Sequence, residues 1–203
     1  ILETLTTGRV VTSEMTIPEG FTIADMVARV AETVERPADT VRARLTDPDA
    51  HLRWDLPGPG LEGYLFPDTY RFAPGVALDV VIETMVERYR AAWTAARITR
   101  LEELDMSENE LVTLASIIQA EARRVEEMPT ISAVYHNRLR RGMRLQADPT
   151  VLYALGGRRE RLLYAAIDSV ADNPYNTYTQ RGLPPGPIAA PGEAAIHAAL
   201  YPT

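Results

Sequence analysis

The carboxylate of Glu121 is the side chain in this sequence whose type and position best suit acid–base chemistry. At about 100° per residue in a helix, Glu121 falls between Leu114 and Ile117, on the flank of an apolar stripe. Partial desolvation there raises the pKa of a carboxyl group, which can then hold a proton near neutral pH and deliver it to a leaving oxygen. Helix geometry alone leaves a second possibility open. Glu121 could be a residue at the boundary of the apolar stripe, whose side chain reaches water or pairs with Arg138 or Arg144.

Four polar or aromatic side chains further along the chain suit the binding of an N-acetylated sugar. Tyr175, Asn176 and Tyr178 in the segment PYNTY offer aromatic faces and amide groups, and Gln146 in RLQADPT offers the same amide chemistry. Each of these side chains could instead pack against the core or brace a loop.

Three further carboxylates lie in segments of unusual composition. Asp148 stands directly before Pro149, a position that suits a helix N-cap, so we favour a structural role in which its oxygens accept from backbone amides. Glu62 and Asp68, in LEGYLFPDTY, could brace a cleft or contact sugar.

Composition excludes several classes of function. The chain has 203 residues and a net charge of −7, with no basic stretch long enough to bind nucleic acid. Cysteine is absent, which excludes disulfides and thiolate chemistry. The three histidines are far apart along the chain, so neither a metal site nor another cofactor is expected.

The chain contains no run of the roughly 20 apolar residues that a membrane helix needs. It begins at Ile1 rather than methionine, so we expect a fragment trimmed at least at its N-terminus. The length suits one large domain or a small module followed by a catalytic domain.

The first part of the chain predicts a small strand-and-helix module. Residues 1–8 read as the end of a helix, residues 9–17 as a strand, and residues 21–34 as an amphipathic helix. A second helix follows Pro37. Residues 47–61 hold several prolines and glycines, and we predict the module boundary within them.

The remainder is predicted to be mainly helical with short strands, which makes the chain α+β. One long amphipathic helix is expected over residues 76–98, and Ser107 with Glu110 forms a capping box for the next helix. The buried stripe predicted for that helix comprises Leu111, Leu114, Ala115, Ile118, Ala122 and Val125. Further helices follow Pro129 and begin at Asp148-Pro149 and Pro191, and the proline-rich loop 172–191 is expected to be functional.

Four motifs occur in an order that resembles the endolytic murein transglycosylase family, also called MltG or YceG-like. They are LEGYLFPDTYRF, LVTLASIIQAEA, VYHNRLRRGMRLQADPTVLYALG and NPYNTYTQRGLPPGPIAAPG. In the family the catalytic glutamate ends the motif ASI-x-x-x-E, so the resemblance assigns that role to Glu121. Many members have a second glutamate where this chain has Gln119.

The resemblance also implies a domain arrangement and a location. Residues 9–56 look like a LysM-like module that contacts peptidoglycan, residues 1–8 like the tail of a preceding unit, and residues 57–203 like the catalytic domain. Family members continue past the final helix, so the domain is expected to be truncated at its C-terminus. They carry a single membrane anchor and an extracytoplasmic catalytic part, and peptidoglycan synthases are implied as possible partners.

The expected reaction cleaves the MurNAc–GlcNAc β-1,4 bond of glycan strands and leaves 1,6-anhydro-MurNAc ends, with Glu121 as general acid and then base. Gln146, Asp148, Tyr175, Asn176, Tyr178 and Glu62 are the expected substrate-binding residues. Two alternatives remain: a muramidase that uses water, with Asp148 or Glu62 as the base, and a peptidoglycan-binding scaffold without catalytic activity.

Overall fold

A computed structural model describes residues 12–157 and 164–203 of the chain. This part is mainly helical with short strands, as predicted, and its strands β1 (Ser13–Thr16) and β2 (Thr69–Phe72) form one small antiparallel sheet. In chain order its helices are α1 (Ile23–Val34), α2 (Ala38–Leu45), α3 (Ala50–Arg53), α4 (Leu78–Ala91), α5 (Ala95–Glu103), α6 (Glu108–Glu121), α7 (Met128–Arg140), α8 (Asp148–Ala154), α9 (Tyr164–Ser169) and α10 (Glu193–Leu200).

The sheet joins the first part of the chain to residues beyond position 56. Ser13 lies opposite Phe72 and Thr16 opposite Thr69, so β1 pairs with a strand outside the predicted module 9–56. Separation at residue 56 would therefore leave each strand without this partner. The boundary and the LysM-like character stay predictions, and the helix end predicted for residues 1–8 lies outside the described residues.

Helices α1 and α2 form as the sequence pattern predicts. The hydroxyl oxygen of Thr22 accepts from the Asp25 amide at 3.2 Å, and the Asp25 carboxylate accepts from the Thr22 amide at 2.9 Å, which closes a capping box. The apolar face of α1 packs against α2 and β1. The capped start of α1 matters for the site because a buried carboxyl group of the catalytic part contacts it.

The single long helix predicted for residues 76–98 is wrong, because the chain forms two helices there. Helix α4 ends at Ala91, and Thr94 caps the start of α5 by accepting a hydrogen bond from the Arg97 amide at 3.3 Å. A threonine hydroxyl satisfies an amide that would otherwise lack a partner at a helix start, which favours a new helix at this position.

Helix α6 is the central helix of the catalytic part and packs against α7, α8 and α10. Its predicted capping box is present, with Glu110 accepting from the Ser107 amide at 2.8 Å. The stripe predicted through Ala122 and Val125 is wrong in its last turn. The helix ends at Glu121, Ala122 has extended backbone angles, and the Val125 side chain is 54% exposed.

The segment LEGYLFPDTY lies against the C-terminal loop because Gly63 has no side chain. Its φ is +82°, and a Cβ atom there would lie 2.3 Å from the Cβ of Pro187. Any other residue would force these segments apart. This close approach holds the neighbouring residue, Glu62, in a buried position at the start of α1.

Candidate active site

Glu121 is the last residue of α6, and its side chain is exposed rather than buried on the apolar flank. Reduced access of water around the carboxyl group raises its pKa, and the negative charge of Asp148 raises it further. The negative end of the helix dipole also disfavours the ionised form. Among the described residues Glu121 forms no ion pair, and Arg138 instead donates to the Leu145 carbonyl.

Asp148 faces Glu121 from the start of α8, and its predicted N-cap role is wrong. Ala147 occupies the cap with extended backbone angles and no side-chain cap bond forms, so Asp148 lies inside the first turn. Its Oδ1 atom accepts a hydrogen bond from the hydroxyl of Tyr178. The side chain is therefore directed to the site rather than to backbone amides.

Tyr135 and Arg138 of α7 complete this group, which we call the Glu121 cluster (Glu121, Tyr135, Arg138, Asp148 and Tyr178). Burial raises the pKa of the Tyr135 hydroxyl above its usual range, and the charge of Glu121 raises it further, while Arg138 acts in the opposite direction. The sequence pattern predicted the helix that carries Tyr135 but did not assign this residue to the site. Its position in VYHNR, within the third motif, is the signal that could have pointed to it.

Gln146 lies beside the cluster on an exposed turn. Its backbone has a left-handed conformation, with φ +52°, and its amide donates to the Thr177 carbonyl at 3.1 Å. Its side-chain oxygen accepts from Arg138 at 3.4 Å. The side chain is exposed, so its amide group is accessible to a ligand at this edge of the cluster.

Asn176 is fully buried and braces the loop 172–191. Its Nδ2 atom donates to the carbonyls of Ile167 at 2.9 Å and Val170 at 3.0 Å, and its Oδ1 atom accepts from the Tyr178 amide at 3.0 Å. Both amide protons are therefore used inside the protein. Of the two roles open from sequence, the geometry supports bracing, since a sugar contact would require this network to open.

Glu62 lies away from the Glu121 cluster, in a buried position at the start of α1. Its carboxyl oxygens accept from the Ile23 amide at 3.1 and 3.2 Å, and the Tyr153 hydroxyl lies close to it on the wall of the cleft described below. Burial raises its pKa to about 8, and the charge of Asp25 adds to this effect. The Tyr153 ring in turn packs on Tyr175, with ring centroids 4.9 Å apart.

A cleft of about 1010 Å³ lies on the Glu62 side of the site. Its walls include the start of α1, the α2–α3 connection, Glu62, Tyr153 and the end of α6. Gln119 and Ala120, the two residues before Glu121, line the cleft, as does Pro149, next to Asp148. The Gln119 side-chain oxygen accepts from the Gly192 amide at 3.0 Å, which fixes this wall to the start of α10.

Within residues 12–157 and 164–203, no group of three or more His, Cys, Asp or Glu side chains is arranged to hold a metal ion. No helix in this described part of the chain combines the length and apolar character needed to cross a membrane.

Comparison with known proteins places these motifs in one family. The model of the YceG-like family matches residues 1–203. The endolytic murein transglycosylase of Bacillus subtilis is 34% identical over the whole chain, which covers 60% of that protein. The Streptococcus pneumoniae protein of the same name, from serotype 2 strain D39, is 35% identical over 70% of the chain, which covers 26% of its length.

A crystal structure of a YceG-like protein from Listeria monocytogenes has the same fold. It superposes with a TM-score of 0.86 at 33% identity, covering the whole chain and 71% of that structure. The chain thus spans about 60% of the length of the Bacillus relative. From the family match over its full length and these similarities, the chain belongs to the YceG-like family.

Proposed function

We propose that this chain is the catalytic part of an endolytic lytic transglycosylase that acts on peptidoglycan glycan strands. The observation that carries the proposal is the position of Glu121, exposed at the end of α6 beside the cleft, with a raised pKa. The names of the Bacillus and Streptococcus relatives support the substrate class. No metal or other cofactor is required for the reaction.

Glu121 performs both proton transfers. In its protonated form it donates to the oxygen of the MurNAc–GlcNAc β-1,4 bond, and that bond breaks at C1 of muramic acid. The Glu121 carboxylate then removes the proton of the C6 hydroxyl of the same sugar, whose oxygen bonds to C1 and closes a 1,6-anhydro ring. Glu121 ends protonated, and no water is consumed.

Asp148 assists in two ways. Its negative charge keeps the Glu121 proton in place before the reaction, since it raises the pKa of that carboxyl group. The same charge stabilises the positive charge that develops at C1 as the glycosidic bond breaks. Tyr178 orients Asp148 through its hydroxyl hydrogen bond, and Gln146 and Tyr175 supply further sugar contacts.

The water-using muramidase remains the second candidate, and the geometry restricts which base it could use. Glu62 is buried against the Ile23 amide, and its pKa of about 8 leaves it protonated at neutral pH. A protonated carboxyl group cannot accept a proton from water. Asp148 is the carboxylate near Glu121 that could act as the base. The observation that favours this second reaction is the effect of the Asp148 charge on the pKa of Glu121, which shows that the two carboxyl groups are close.

Three further expectations belong to the whole protein. Residues 9–56 act as a LysM-like module that contacts glycan, a single membrane anchor outside this chain holds the catalytic part on the extracytoplasmic side, and synthases of peptidoglycan are its neighbours at the membrane. A scaffold without catalytic activity would share these properties, and it would bind glycan without cutting it.

Digestion of purified glycan strands, followed by mass analysis of the products, tests the proposal. We expect products that end in 1,6-anhydro-MurNAc. Products heavier by one water would establish the muramidase instead, and strands that are bound but remain intact would establish the scaffold.

A further inference from the structure

Glu62 is a buried carboxyl group that the proposed reaction does not use. Its side chain is 9% exposed and both oxygens lie within 3.2 Å of the amide nitrogen of Ile23, the first residue of α1. That amide lacks a partner within its own helix, so the contact satisfies it. Glu62 thereby joins α1 to the residues that follow position 56.

The second partner of Glu62 belongs to the helix that carries Asp148. Tyr153, which lies next to Glu62 on the wall of the cleft, is five residues after Asp148 on α8, or about 7.5 Å along the helix axis. Its ring packs on Tyr175 in the loop 172–191. Glu62 therefore contacts one end of α8, and the Glu121 cluster occupies the other.

Helix α8 and the loop 172–191 are joined at both ends. At the cluster, Tyr178 donates to Asp148, and the Thr177 hydroxyl lies 2.8 Å from that of Thr150 and accepts from the Ala147 amide at 2.9 Å. At the other end, Tyr153 and Tyr175 pack together. A displacement of Tyr153 is thus transmitted to Asp148 and Tyr178 as a movement of one packed unit.

We infer that Glu62 is a positioning residue, which anchors α8 and the loop 172–191 to the start of α1 through Tyr153 and so holds Asp148 and Tyr178 against Glu121. This inference rests on the proposed function. It also makes the protonated, neutral form of Glu62 the competent one, because an ionised carboxylate in this buried position would be poorly solvated.

The groups that face Glu62 support this reading. Asp25 of α1 contributes a negative charge, and Tyr153 and Tyr175 contribute neutral hydroxyl groups whose pKa values burial raises above the usual range. With its pKa near 8, Glu62 is the member of this group whose charge changes between pH 7 and 9.

The test compares glycan cleavage by the wild-type protein with that by Glu62→Gln and Glu62→Ala, from pH 6 to 9. Glutamine reproduces the neutral acid, so we expect its kcat at pH 7 to stay within about threefold of wild type, whereas alanine loses roughly 10- to 100-fold. The ratio of Glu62→Gln activity to wild-type activity should rise as the pH passes about 8. Because both proteins retain Glu121, the effect of its ionisation on activity cancels in this ratio.

Glu32→Gln is the matched control, because Glu32 is an exposed carboxylate on α1. It should leave the activity ratio flat across the pH range. A flat ratio for Glu62→Gln as well, or wild-type kcat in Glu62→Ala, would overturn the inference. If Glu62→Ala does not fold, the pH dependence of the ratio of Glu62→Gln activity to wild-type activity still tests the inference. Absence of cleavage by the wild-type protein would instead overturn the proposed function.

Discussion

The hydroxyl of Tyr178 donates a hydrogen bond to Oδ1 of Asp148, across the interface between the loop 172–191 and α8. Asp148 in turn acts on the charge state of Glu121 at the end of α6. Three segments that are distant in sequence thus meet at one carboxyl group.

Tyr178→Phe should lower kcat/KM by roughly 10- to 100-fold, because a hydrogen bond to a charged group is worth about 1.5–3 kcal/mol. The ring and its packing remain, so the free energy of unfolding should change little. Steady-state cleavage of glycan strands measures the effect. Tyr201→Phe, at the exposed end of α10, is the control, and equal losses in both variants would contradict a specific role for Tyr178.

Glu121→Gln should abolish cleavage, with a loss at or beyond the upper end of the 10²–10⁴-fold range of general acid–base assistance. Glutamine keeps the size of the side chain and cannot transfer the proton. The fold and glycan binding should be unchanged, as measured by thermal unfolding and a binding assay. Glu126→Gln, an exposed change close by in the chain, should retain activity. Cleavage at the wild-type rate by Glu121→Gln would refute the assignment.

Asp148→Asn should shift the pH profile of kcat toward acid. Asp148 raises the pKa of Glu121, so removal of its charge lowers that pKa, and Glu121 then loses its proton at a lower pH. Because the first step requires protonated Glu121, the descending limb of the profile moves to lower pH. Asp172→Asn, an exposed change at the start of the loop 172–191, should leave the profile in place. An unmoved limb in Asp148→Asn would argue against electrostatic coupling.

The burial of Glu62 should make the protein less stable as the pH rises. Its pKa is raised from 4.5 to about 8, so the folded state binds a proton that the unfolded state releases between these values. The stabilisation is complete below pH 4.5 and is lost as the pH rises through 8, at up to about 1.4 kcal/mol per pH unit.

Chemical denaturation of wild type and Glu62→Gln at several pH values measures this effect. The difference in free energy of unfolding, glutamine variant minus wild type, should increase with pH up to about 8 and then level off. A difference that is constant with pH would show that Glu62 ionises in the folded protein as it does in water.

Asn176→Ala should destabilise the protein by several kcal/mol. The change removes three hydrogen bonds, those to the carbonyls of Ile167 and Val170 and that from the amide of Tyr178, and each such bond is worth about 0.5–1.5 kcal/mol. Denaturation curves provide the measurement. Asn137→Ala, on the exposed face of α7, should cost far less. If Asn176→Ala is as stable as wild type and loses only glycan affinity, then the side chain contacts sugar.

Local patterns in the sequence determined the elements and pointed to Glu121. The Ser107–Glu110 capping box and the apolar stripe of α6 depend on residues three and four apart, and such spacing is visible in a single chain. The same reasoning overextended two helices. A competing cap at Thr94 interrupts one of them, and α6 stops at Glu121, where the extended backbone of Ala122 exposes the carboxyl group.

Only the tertiary structure decided which of the candidate side chains act together. Asp148 precedes a proline, as an N-cap does, yet its partner is Tyr178, 30 residues away. Asn176 and Tyr178 are two residues apart, yet one is sealed inside the loop and the other reaches Asp148. Contacts of this range depend on the packing of α8, the loop and α1 around Glu62, and a linear pattern carries no record of how separate elements pack.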